Sequence, residues 1–319
     1  MKNTLLLLLK IAITCFLLYF ASSRANLAAL GNRLIQLDPA WAVAALGVVA
    51  AQTYVLALRW REIVASCGFG LSATDATKFT MISIFFGQVT PATIGGDAVK
   101  VWLLARSGAG WSIAAYSVLI DRYVGLLALA IMVTACLPWS LGLIINPVGQ
   151  TTLALIGIGS VAGLLVFMII GNMQPGWTNR WWLVRHLTQL AVKLYDLMFR
   201  SRVGARVMVL SWLSHVLNVT IVWCAANAAH SSFEFGQALL LVPPVILIST
   251  VPVSIAGWGV RESALVLAFG YAGLPESDAL LVSILFGIAM LAFGVLGGVV
   301  WLASGLRLRS MSRETPSGS

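Results

Sequence analysis

Charge is what this sequence has least of. Of its 319 residues only 10% are Asp, Glu, Lys or Arg, while 60% are apolar; soluble globular chains carry roughly 25% and 45–50%. This excludes a soluble protein. It also excludes a membrane-tethered soluble enzyme, because spans of roughly 20 residues each leave only short loops between them. Acidic residues are scarcer than basic ones, 11 against 20, which gives a net charge of +9. The surplus does not mark a nucleic-acid partner, since Lys and Arg are not gathered on a soluble face interleaved with exposed aromatics. Basic residues held on the cytoplasmic side of a membrane account for it.

Cysteine is also sparse. Cys15, Cys67, Cys136 and Cys224 sit in apolar stretches without a C-x-x-C spacing, so neither a zinc site nor a disulfide framework is expected and they read as small apolar fillers. The three histidines, His186, His215 and His230, are dispersed, and no H-E-x-x-H or G-x-S-x-G occurs. Ile94-Gly95-Gly96-Asp97 lacks the glycine of the G-x-G-D motif of intramembrane aspartyl proteases, and Tyr195-Asp196 lies in an amphipathic segment. The expectation is a protein that is not an enzyme and that holds no metal and no cofactor.

What the sequence has is apolar runs. Leu5 to Phe20, Trp41 to Leu58, Ile113 to Leu137, Thr151 to Ile170, Val207 to Ala229 and Ala279 to Ala303 are long enough to cross a bilayer. The first, with Lys2 and Lys10 around it and Ala21-Ser22-Ser23 after it, also has the layout of a cleavable signal peptide. Twelve tryptophans suit aromatic belts at the two interfaces.

Two further apolar stretches are interrupted. Phe79 to Val89 stops at Thr90-Pro91 and the Gly95-Gly96 pair; Ala238 to Val251 contains Pro243-Pro244 and ends at Pro252 and Gly257. Eleven helical residues reach about 16 Å, close to half of the hydrocarbon core. Each is followed by a second short apolar piece, Ala98 to Ala105 and Ser263 to Gly270. This predicts two helical hairpins that enter, turn at mid-depth and leave on the same side.

Charge placement agrees. With the N-terminus inside, Arg59, Arg61, Lys78, Lys100 and Arg106 fall inside, and the uncharged loop Pro138 to Gln150 outside. The basic segment Gly176 to Arg206 and the tail with Arg307, Arg309 and Arg313 fall inside as well. Within that segment, Leu183, Leu187, Leu190, Leu194, Leu197 and Met198 recur at helical spacing opposite Arg185, Gln189, Lys193 and Arg200. This predicts an interfacial amphipathic helix between Trp177 and Arg202, entered by Trp177, Trp181 and Trp182.

The two breaks also resemble each other. Pro91 to Lys100 reads P-A-T-I-G-G-D-A-V-K and Pro252 to Arg261 reads P-V-S-I-A-G-W-G-V-R, in one register throughout. Span, span, broken hairpin, span occurs twice, with the hairpins on opposite sides. The fold class expected is therefore an all-α polytopic integral membrane protein, with six full spans plus two re-entrant helical hairpins in two inverted-topology repeats. The repeats would be residues 1–147 and 148–303, the second including the cytoplasmic segment 177–202, followed by a basic cytoplasmic tail, 304–319. Inverted repeats with discontinuous helices are a recurrent transporter build.

The candidate site residues follow from charges inside apolar segments, which cost about 2.5–3.5 kcal/mol each at a helix centre and therefore pair and face a polar interior. Asp97 and Lys100, three apart on one helix face, can pair; Arg261 and Glu262 hold the equivalent place in the second half; Asp121 and Arg122 are adjacent within the run from Ile113. One reading makes these a head-group site where the hairpins meet, with Lys100, Arg122 and Arg261 attracting phosphate. The other makes them ion pairs that lock the hairpins to neighbouring helices; a proton relay through the carboxylates stands beside both. Pro91, Gly95, Gly96, Pro252, Gly257 and Gly259 would form the hairpin turns. His215 and Asn218 either line the cavity or bond between helices.

Pro91 to Asp97 with Lys100, Ser117-Val118 to Asp121-Arg122 with Gly125, and Pro252 to Gly257 with Gly259 and Arg261-Glu262 together resemble the transmembrane, flippase-type domain of lysylphosphatidylglycerol synthases and their stand-alone relatives. The resemblance covers nearly the whole chain. It implies eight membrane segments with re-entrant elements, and movement of a phospholipid or related amphiphile between leaflets of the cytoplasmic membrane. The sequence departs from the family pattern at Ala92, often glycine, at Lys100, often arginine, and at Gly287, where a basic residue is frequent. Only Ser304 to Ser319 follow the last run, so the aminoacyl-transferase domain of the bifunctional members is expected to be absent and the chain is not expected to make the lipid. The partner implied is a membrane lipid with an anionic phosphate head group. The alternative is a non-transporting accessory subunit for a lipid-modifying enzyme or glycosyltransferase.

Overall fold

A computed structural model describes residues 36–89, 94–173, 182–250 and 258–305. The run Leu5 to Phe20, the turn residues Pro91, Pro252 and Gly257, Trp177, Trp181 and the tail arginines lie outside the described residues. Among those described the regular structure is helical: α1 (Pro39–Ser66), α2 (Ala73–Val89), α3 (Ile94–Leu104), α4 (Trp111–Leu143), α5 (Pro147–Asn172), α6 (Trp182–Tyr195), α7 (Arg202–Ala228), α8 (Phe235–Ser249), α9 (Val260–Tyr271) and α10 (Glu276–Ala303). The chain is a helical membrane protein: α1, α4, α5, α7 and α10 are long and apolar enough to cross a bilayer.

Local chemistry sets the helix starts. Asp38 accepts the Ala40 N–H ahead of Pro39, Asn146 accepts Val148 N–H ahead of Pro147, and Ser201 accepts Val203 N–H, each an N-cap, two of them with proline at the first helical position. Ser72 and Asp75 cap α2 in the same way, so it begins six residues before the apolar stretch expected from Phe79 and runs for 17 residues.

Proline breaks the helices less than expected. α4 passes through Pro138 to Leu143, which shortens the expected loop Pro138 to Gln150 to Ile144–Asn146, and α8 passes through Pro243-Pro244. In an apolar medium an interrupted helix exposes more backbone than the one bond each proline removes. Pro244 cannot donate to the Leu240 carbonyl, and the Ser140 hydroxyl of α4 donates there instead, at 3.5 Å.

Contacts at the helix ends fix the arrangement. Asp38 N–H donates to the Ala228 carbonyl, Ile145 N–H to the Tyr271 carbonyl, and the Ser231 hydroxyl to Asp278 at 2.6 Å. The starts of α1, α5, α8 and α10 therefore gather at one end of the molecule, with the ends of α4, α7 and α9. At the opposite end Arg61 holds the Leu71 carbonyl, and Gly108, after α3, approaches Phe69. α2 and α3 pack antiparallel: a Cβ on Gly96 would run into the Ser83 carbonyl and come within 3.2 Å of Gly87 N. α10 stands between the two hairpins. Its Gly297 lies against the Met81 carbonyl and its Gly294 beside Gln88, near the tip of the first, while Gly287 abuts Trp258 at the tip of the second. Gln88 and Trp258 thus meet α10 about 10 Å apart along its axis, near its middle.

α6 is amphipathic as expected, but it is docked rather than free. Leu190, Leu194 and Leu197 are buried with Ile63, Ile120, Val124 and Met168, whereas Leu187 is exposed. Tyr116 of α4 ties it down, donating to Gln189 at 2.6 Å and bonding His186 at 2.8 Å.

Candidate functional site

α3 places Asp97 and Lys100 on one face, as their spacing predicts, yet the two do not pair with each other. Each reaches α4. Arg122 donates twice to Asp97, Nε to Oδ2 at 2.8 Å and Nη2 to Oδ1 at 2.9 Å, the fork geometry that favours arginine. Lys100 Nζ lies 3.6 Å from Asp121 Oδ2. The other oxygen of Asp121 is taken at 2.9 Å by Arg59 of α1, a residue the sequence reading had counted only as a marker of sidedness.

The rest of the motif around Asp121 supports these charges. Lys100 sits 4.2 Å over the Trp60 ring, a cation–π contact, and the Trp60 indole N–H donates to Ser117 Oγ. Gly125 leaves room for Arg59: a Cβ there would lie 3.2 Å from its Nη1. Arg59 also reaches Ser211 of α7. His215, on the same helix, donates from Nε2 to the Gly125 carbonyl at 2.9 Å, so it makes a bond between helices, while Asn218 Oδ1 is buried without a partner.

Burial divides this group. Arg59, Lys100 and Asp121 are 6%, 6% and 8% exposed, whereas the Arg122 side chain is 58% exposed. Arg122 and Asp97 therefore form the accessible edge of a buried cluster that holds two cationic side chains and one carboxylate.

The second half builds a different arrangement. Glu262, wholly buried, accepts Gly259 N–H at 2.6 Å, Ser283 Oγ at 3.0 Å and Arg261 Nη2 at 2.5 Å. Gly259 has φ +86°, a conformation that favours glycine. Arg261 also donates to Ser283 and lies between the Trp258 and Phe286 rings, 4.9 and 5.0 Å from their centres. A Cβ on Gly287 would come within 2.7 Å of Arg261 Nη2, so this arginine fills the space beside Gly287. Arg261 is answered within its own half, and among the described residues the six charged residues fall into two groups that share no ion pair. Arg59, Trp60, Ser283 and Trp258 were not singled out from sequence; an arginine followed by seven more residues of an apolar helix was the available signal for Arg59.

Near the second group an apolar groove of 340 Å³ runs between α5, α8 and α9, from Gly149 and Tyr271 to Ile248 and Val260, the neighbour of Arg261.

Residues 7–298 match the family described as the lysylphosphatidylglycerol synthase TM region. No curated protein matches the chain.

Proposed function

From the premise that the chain belongs to the lysylphosphatidylglycerol synthase TM-region family, we propose that it is a flippase-like translocase that moves a phospholipid or related amphiphile between leaflets of the cytoplasmic membrane. One observation carries this reading: a cluster of two basic side chains and one carboxylate, Arg59, Lys100 and Asp121, is buried among membrane helices behind the exposed Arg122–Asp97 pair. A second positive charge in this buried cluster is unfavourable unless an anion answers it. A phosphate head group supplies one, meeting Arg122 first and Lys100 behind it. Arg261, neutralised by Glu262, pins the second hairpin and flanks the head-group path. The 340 Å³ groove suits a hydrocarbon chain.

The architecture that goes with this function is six spans and two re-entrant hairpins in inverted repeats, 1–147 and 148–303, with both termini and the tail 304–319 in the cytoplasm. What supports it is that α2 and α3 begin and end at one end of the molecule, α8 and α9 at the other, and that Gln88 of α2 and Trp258 just before α9 both approach the middle of α10. The protein performs no catalytic step of its own and uses no cofactor. Reconstitution into liposomes with fluorescent or aminoacylated phospholipids tests the function: translocation above empty vesicles is expected, and none across several head groups would refute it.

The second reading is an accessory subunit that holds a lipid-modifying enzyme or glycosyltransferase. It draws on α5, where Gly159 and Gly163 meet no atom that an added Cβ would touch and Leu155, Ile158 and Val166 are exposed, an open face that fits a partner helix. Co-purification with such an enzyme, with function intact after Lys100, Arg122 and Arg261 are each changed to Gln, would favour it.

A further inference from the structure

We propose that the Lys100 site takes up one proton with each anionic head group it binds, so that lipid movement is proton-coupled. This rests on the head-group reading of the same site and adds its ionic partner.

Arg59, Lys100 and Asp121 are shut off from water together. The carboxylate is committed to Arg59 at 2.9 Å and reaches Lys100 only at 3.6 Å. The other charges facing Lys100 are Arg122 of α4 and Asp97, one turn earlier on α3, and these cancel through their own two hydrogen bonds. Arg106, in the π turn after α3, lies over Trp102. α2 offers the neutral Thr80, whose buried hydroxyl has no partner; it lies one turn below Ser83 as Lys100 lies one turn beyond Gly96, and so level with Lys100 in the antiparallel pair. Among the described residues no carboxylate is thus left to answer a second cation in the cluster.

Only one of its members can shed that charge. A guanidinium does not give up its proton, and Asp121 is bonded to that guanidinium at 2.9 Å. An amine can exist in either form, and burial makes lysine the side chain that exchanges. In the empty site the charges balance as Arg59 cation, Asp121 anion and neutral Lys100 amine. When a singly charged phosphodiester enters, one proton from water bonds to Nζ, and the resulting ammonium donates to a phosphate oxygen. When the lipid leaves, that N–H bond breaks and the proton returns to water. The buried cluster is neutral in both states, and the anion moves with one proton.

The test titrates the purified protein, in nanodiscs of zwitterionic lipid and a weakly buffered solution with a pH-indicator dye, with dioctanoyl phosphatidylglycerol. The expected result is uptake of about one proton per lipid bound, with apparent affinity weakening about tenfold per pH unit on the alkaline side. Lys100→Arg, which keeps the charge and cannot exchange it, should abolish the uptake and flatten the pH dependence. Wild-type binding without proton uptake overturns the coupling and leaves the head-group reading standing; no binding overturns both. Equal uptake with inorganic phosphate alone would overturn the lipid as its source.

Discussion

Arg122 of α4 and Asp97 of α3 face each other through two parallel hydrogen bonds, and theirs is the exposed pair beside a buried one. Because Arg122 is largely exposed, Asp97→Asn should change stability by less than about 1 kcal/mol, yet remove most lipid transport. Reversing the pair, Asp97→Arg with Arg122→Asp, should restore part of that transport. Thermal unfolding in detergent and liposome transport, measured on the same preparations, check both statements.

Asp121 holds the buried Arg59 guanidinium at 2.9 Å, so its loss should act on the fold. Asp121→Asn leaves the buried Arg59 guanidinium without a counter-charge and should destabilise the protein by about 3–5 kcal/mol, read as a fall in unfolding temperature. Adding Arg59→Met removes the stranded cation and should recover part of the loss.

The origin of that cluster shows what the sequence made legible. Helical spacing correctly put Asp97 and Lys100 on one face, and the cost of intramembrane charge correctly demanded partners. The partners were misjudged because three-residue spacing permits a local pair, while the structure uses α4, which offers adjacent charges to two different neighbours. Arg59 was overlooked since a basic residue at the end of an apolar run looks like a sidedness marker; only the seven further helical residues after it keep it inside. Pro138, Pro243 and Pro244 were read as breaks because a single chain does not reveal neighbours such as Ser140. The glycines were legible as close approaches, but not which helix approaches.

That last point can be tested by contrast. Gly287→Ala puts a methyl group within 2.6 Å of the Trp258 ring and 2.7 Å of Arg261 Nη2, and should destabilise by about 1–3 kcal/mol through overpacking. Gly159→Ala, which meets no neighbouring atom, should be neutral or slightly stabilising, since alanine favours the helix. Denaturation curves of the two variants are the check.

Ser140→Ala should cost no more than about 1 kcal/mol, the value of one modest hydrogen bond, because its donation to the Leu240 carbonyl is long at 3.5 Å. Restoring the missing donor with Pro244→Ala should make the Ser140 substitution neutral, a result that a double-mutant cycle would read directly.

The central claim, that two hairpins turn back inside the bilayer from opposite faces, is tested most directly by labelling single cysteines with a membrane-impermeant maleimide in sealed vesicles of known orientation, after Cys15, Cys67, Cys136 and Cys224 are replaced. Gly70 and Ser107 flank the first hairpin, and Ser232 and Pro275 the second. The account predicts that cysteines at 70 and 107 label from the cytoplasmic side alone and those at 232 and 275 from the other side alone. Labelling of 70 and 107, or of 232 and 275, from opposite sides would contradict it.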